Sequence, residues 1–276
     1  MPADPPEEPP ETGGLLSFDS RIVNAVVAPG AAALAVLVQI SPLGFFLQGF
    51  HVWVHEFGHA TVAWMTGRRA LPLPIGWTNV EHERSVLVYV GVLLLLGVMG
   101  VGGWRERKIW PMALAVLLAT AQAYMTWFLS DDRAHLWMIF AGVGGEFYLA
   151  AAMMALFYFE FPEKFRWGVC RYAFLFIGAA SFFTTFRFWK QVQHGLEGIP
   201  YGTMINGEDD GGGDMNILKD EYGWSQHRII HTYAHLGDLC LVALALIYLF
   251  FTLRLDRVMD RLLARFWWSV IPAEEG

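Results

Sequence analysis

Long apolar runs separated by short polar stretches dominate the chain. Seven of them have the length of a bilayer-crossing helix: 22–40, 42–65, 85–104, 109–130, 135–159, 172–189 and 229–253. A hydrocarbon core of about 30 Å takes about 20 apolar helical residues, so each run predicts a transmembrane helix. Pro29 and Gly30 lie inside the first run and predict a kink or a re-entrant turn there. The expected fold class is therefore an all-α polytopic integral membrane protein with about seven transmembrane helices, within a range of six to eight. Beyond the last run, Arg254, Arg257, Arg261 and Arg265 alternate with Leu262, Phe266, Trp267 and Trp268, the pattern of an interfacial helix. The opening residues are mostly proline, acid and glycine, which bury no apolar surface and predict a disordered tail. Three regions follow: an acidic, Pro-rich tail (1–20), a membrane-embedded helical domain (21–255), and an interfacial helix with its tail (256–276).

Composition narrows the function classes. Apolar residues make up 55% of the chain and charged residues 16%. Soluble domains carry roughly 25% charged residues, so an ordinary soluble enzyme is excluded. Cys170 and Cys240 sit in apolar surroundings, which excludes a disulfide framework and a cysteine-based zinc finger. A net charge of −7 argues against a nucleic-acid partner. No basic start with an apolar stretch close behind it marks a signal peptide, so the first span is expected to act as the insertion signal. The expected location is a bacterial-type inner or plasma membrane, crossed several times. Lys and Arg are too evenly divided between the two sides to fix the orientation.

The informative residues are the polar ones inside apolar runs, because each costs free energy in hydrocarbon. The second run holds His51, His55, Glu56 and His59. Residues four apart stack on one helix face, so His55 and His59 can reach one metal ion. Glu56 lies about 100° around the axis from His55, beside such an ion rather than on it. The segment HEFGH is the H-E-x-x-H pattern of zinc hydrolases, in which the Glu is the general base. Gly58 is small enough to let a partner helix approach. A catalytic zinc takes three protein ligands and keeps a position open for water. Three residues are candidates for the third ligand: Asp214 in GGGDMNIL, Glu146 in GVGGEFYLA, and Asp238, which follows His231 and His235 on one face of the last run. Four crossings separate the second run from the polar segment around Asp214, which returns that segment to the same membrane side. His51 is expected one turn too deep to bind the same ion and is placed as a partner of a ligand. His231 and His235 read as a relay or as polar contacts between helices. Glu208, Asp209 and Asp210, flanked by glycines, read as a solvated run.

HEFGH within a membrane span of a polytopic chain resembles the site-2 protease family of intramembrane zinc metalloproteases, the M50 group. The resemblance implies one Zn2+ per chain held by His55, His59 and a downstream Asp, with Glu56 as the base. The family's Asp lies in an L-D-G motif at the start of a later helix. Asp214 is the best positional match, although Gly213 precedes it and Met215 follows it. GVGGEFYLA corresponds to the family's glycine-containing motif in a neighbouring helix. The implied partners are the lipid bilayer and a membrane protein or peptide substrate. The segment 70–79, with Pro72 and Pro74 and no helical pattern, is a candidate edge for an extended substrate. Two rival readings use the same residues. Imidazole also suits iron, so His51, His55, His59, His231 and His235 are compatible with a di-iron membrane oxygenase or desaturase. Polar residues on several spans also suit a metal or proton transporter.

Overall fold

A computed structural model describes residues 17–18, 20–163, 168–203 and 210–259. The chain begins with a π-helical turn, Val23–Val27, running into α1 (Ala28–Gln39). Pro29 explains the wide turn. It has no N–H for the carbonyl four residues back, and its ring clashes with that carbonyl. The carbonyl in question, Ala25 O, accepts instead from the Tyr248 hydroxyl at 3.2 Å. Ser41 and Pro42 then stop the helix, and the chain re-enters at 108° as α2 (Gly44–Met65). The two runs expected to be separate spans are thus one bent pair.

After α2 the all-α expectation gives way to an antiparallel hairpin, β1 (Arg68–Leu73) and β2 (Trp77–Arg84). Pro72 and Pro74 forbid a helix here, and Gly76 supplies a positive φ in the turn. The hairpin is seated on α2: Trp64 Nε1 donates to Ala70 O at 3.1 Å, and Val80 packs with Val62, Ala63, Met138 and Ala141.

Five longer helices and one short helix follow. They are α3 (Val86–Arg105), α4 (Ile109–Trp127), α5 (Asp131–Ala155), α6 (Cys170–Gln193), α7 (Asp214–Asp220) and α8 (Gln226–Thr252). Ser130 and Ser225 cap α5 and α8, accepting from Arg133 N and Arg228 N. Among the described residues, α3, α4, α5 and α8 are long and apolar enough to cross a membrane, with a fifth span if the bent pair counts as one. That set fits a polytopic membrane protein. It falls short of the seven expected because two runs merge at the bend, and Arg187 and Lys190 leave α6 less apolar than its length suggests. The helical part of the interfacial segment is described only to Met259; the rest of it, the tail before Ser17, Glu208 and Asp209 lie outside the described residues.

Two packing features position the site. Glycines let α2 and α5 touch backbone to backbone. A Cβ on Gly58 would overlap the Ala141 carbonyl oxygen and lie 3.0 Å from Gly145 Cα. The main core joins α5, α6, α7 and α8 through Phe147, Trp189, Leu218, Ile229 and Tyr233. Leu218 is fully buried in that core, so α7 is held against α5 with its first residue, Asp214, facing α2. The Asn216 side chain fastens the preceding segment by accepting from Gly202 N at 2.8 Å and donating to Gly202 O at 3.2 Å.

Candidate metal centre

The i, i+4 spacing on α2 brings His55 Nε2 and His59 Nε2 to 3.2 Å. Asp214 Oδ2, delivered by α7, lies 3.2 Å from the first and 3.4 Å from the second. These three atoms form the one group among the described residues able to hold a metal ion.

The far side of each imidazole shows why these atoms face one another. His59 Nδ1 lies 2.7 Å from Met138 O, and a carbonyl can only accept, so the proton is on Nδ1. His55 Nδ1 lies 2.7 Å from Glu146 Oε1 and donates to it in the same way. In the neutral form of each ring, the Nε2 atom then presents a lone pair. Asp214 Oδ2 is buried and receives no hydrogen bond. Two neutral rings and the carboxylate thus turn three lone pairs toward one point, an arrangement that a cation among them satisfies. An ideal tetrahedral zinc site, with ligands at about 2.0–2.1 Å, has ligand–ligand edges of about 3.3–3.4 Å. The observed edges of 3.2–3.4 Å fit that donor set. Space is reserved as well: a Cβ on Gly142 would overlap Asp214 Oδ2 and lie 2.6 Å from both Nε2 atoms.

Glu56 is buried and lines the same cavity of about 980 Å³ as the three donors. Its Oε2 accepts from Thr78 Oγ1 on β2 at 2.5 Å. The cavity is bounded by α2, β2, the Asp131–Glu146 part of α5, Pro200, Gly202 and residues between Asp210 and Met215. Asp210 lines it too and accepts from Gly212 N, so it is more than a solvated loop acid.

The other two candidates for the third ligand do not join the triad. Glu146 turns to the back of His55, and its second oxygen accepts from Thr185 Oγ1 at 2.6 Å. Asp238 is tied to Lys190 Nζ at 2.8 Å. His51 stands behind Glu146, with Nε2 3.6 Å from Oε2 and Nδ1 3.0 Å from Ser181 Oγ, so it braces Glu146 rather than a ligand itself. His231 and His235 contact each other on the outward face of α8 and are not brought to the α2 histidines, so the two sets do not assemble a di-iron site. Sequence reasoning missed Thr78, Gly142, Thr185 and the Met138 carbonyl. Gly142 left a trace as part of the glycine-rich run ahead of Glu146, and Thr78 only as a member of the segment 70–79.

Residues 27–75 match the family described as Peptidase M50B-like. That stretch carries α1, α2 and β1, hence His55, Glu56 and His59, and ends before Thr78, Glu146 and Asp214. No curated protein and no solved structure matches the chain.

Proposed function

We propose that the protein is a membrane-embedded zinc metalloprotease that hydrolyses peptide bonds of membrane-associated substrates. One observation carries the reading: three possible ligand atoms, two imidazole and one carboxylate, converge beside a buried glutamate in a cavity. His55, His59 and Asp214 would hold one zinc ion. Such an ion, when bound, acidifies a water and polarises the carbonyl to be attacked.

The chain's own groups supply the rest. Thr78 occupies Oε2 of Glu56 and leaves Oε1 to take the proton from the attacking water. Glu56 then returns that proton to the leaving nitrogen as the C–N bond breaks. A helical substrate hides its carbonyls in its own hydrogen bonds and must unwind before attack. An unwound segment needs new partners for its N–H and C=O groups. The hairpin has two strands, so β2 has one edge unpaired by β1, and Trp77, Thr78 and Val80 line the cavity. A substrate laid along that edge regains hydrogen bonds and crosses the mouth of the site.

The test is metal content and turnover of detergent-purified protein, with fluorophore-labelled casein as the probe. The expected result is one zinc per chain and cleavage in the wild type. His59→Ala loses both, and Glu56→Gln keeps zinc and loses cleavage. Turnover by Glu56→Gln would remove Glu56 as the base. Two irons per chain would replace the reading with the oxygenase one, and no bound metal after zinc is supplied would end it.

A further inference from the structure

Thr78 does more than fasten the hairpin. Its hydroxyl lies 2.5 Å from Glu56 Oε2 and 3.0 Å from the Glu56 backbone oxygen. A hydroxyl has one proton to give, and the carboxylate is the closer and the charged acceptor. Among the described residues, no other side chain donates to the Glu56 carboxyl. A buried carboxylate with a single donor depends heavily on it for its position. Thr78 is itself held in place. Along β2, Thr78 and Val80 are the half-buried positions while Trp77, Asn79 and Glu81 are exposed, so the two inward side chains seat the strand on α2 and α5. Thr78 pairs with Pro72, which has no N–H to offer. A proline fits a ladder where its N–H would face outward, and Thr78, as its partner there, then turns its own N–H and C=O to the free edge.

We infer that Thr78 is a positioning residue that couples the base to the substrate strand. This rests on the reading of Glu56 as the base. A peptide paired with the outer edge of β2 fixes the backbone of Thr78, and the Thr78 hydroxyl carries that order to Glu56 Oε2. The base is then aimed best when the strand is occupied. Catalysis, rather than binding, is what loss of the hydroxyl reduces.

Thr78→Val removes the hydroxyl at nearly constant shape, and Thr78→Ser restores it. On labelled casein with zinc-loaded protein, Thr78→Val is expected to lower kcat about ten- to a hundredfold with KM within about twofold. Zinc content stays at the wild-type level, and Thr78→Ser recovers most of the rate. A second readout needs neither metal nor substrate. In metal-free protein, Thr78→Val and Glu56→Ala each speed amide exchange of residues 68–84, and the double variant adds less than the sum. Unchanged kcat in Thr78→Val, with Glu56→Gln inactive, overturns the coupling and leaves the base in place. Additive exchange effects overturn the tie itself. Turnover by Glu56→Gln, or none by the wild type, overturns the base reading and the coupling with it.

Discussion

Gly142→Ala is the sharpest structural test of the metal centre, because it leaves every ligand residue in place and adds only a methyl group. The donor atoms form a triangle with edges of 3.2, 3.2 and 3.4 Å. The point equidistant from them lies about 1.9 Å from each, close to a zinc–ligand bond length. A Cβ at position 142 would lie 2.6 Å from both Nε2 atoms and overlap Asp214 Oδ2. Non-bonded heavy atoms settle at about 3.5–4.0 Å, so the methyl drives the donors outward by about 1 Å. A zinc site tolerates about 0.2 Å. Helix α5 cannot simply retreat, since Gly178 of α6 closes on its other side with Ala150 O 2.8 Å from where a Cβ would stand. We expect zinc affinity to fall at least about a hundredfold, or about 2.7 kcal/mol. The assay is competition with a chromophoric chelator in detergent, with helicity followed by circular dichroism. Gly97→Ala on α3, where a Cβ meets nothing within 4 Å, is the control and should bind zinc as the wild type does. Wild-type affinity in a folded Gly142→Ala protein would refute the triad as the binding site.

Other substitutions probe the surroundings of the same centre. Glu146→Gln removes the charge behind His55 and should weaken zinc about 10- to 100-fold in the same competition assay, with Glu146→Ala weaker still. Asp214→Ala, which deletes the anionic donor, should bind less than one zinc per chain by elemental analysis while retaining its helicity. Gly58→Ala forces a methyl against the Ala141 carbonyl oxygen at the α2–α5 crossing. It should cost about 1–3 kcal/mol, read as a lower apparent melting temperature in detergent.

The sequence made His55 and His59 legible because helical periodicity alone puts i and i+4 on one face, whatever the tertiary fold. Asp214 was legible only by position, as an acid opening an apolar run. Its meeting with α2 depends on Leu218 and Met215 anchoring α7 in the main core, which no local pattern announces. The hairpin was half legible: Pro72 and Pro74 exclude a helix, but strand pairing and the seat on α2 are tertiary. The role of Thr78 within the candidate edge 70–79 was invisible, since a threonine in a strand is ordinary until its partner is known. The seven-span expectation was met only in part for a related reason. Length and apolarity describe a run of residues, and they do not reveal that Ser41 and Pro42 turn two runs into one bent pair.

Glu146 shows how far such reading extends. An acid in an apolar span demands a partner, and the sequence supplied several without choosing among them. The choice is made by glycines. Gly58 and Gly145 remove the side chains that would hold α2 and α5 apart. At that separation the Met138 carbonyl reaches His59 Nδ1, the Glu146 carboxylate reaches His55 Nδ1, and Gly142 leaves open the space in front of both Nε2 atoms. The spacing from Met138 to Gly142 to Glu146 is one turn each, so a single face of α5 braces both rings from behind and clears room before them. The glycine-rich run before Glu146 is thus the sequence signature of a helix that approaches a metal site with its backbone. A bulkier residue at 58 or 145 would disturb the metal centre by pushing the two helices apart, and one at 142 by entering the space between the donors.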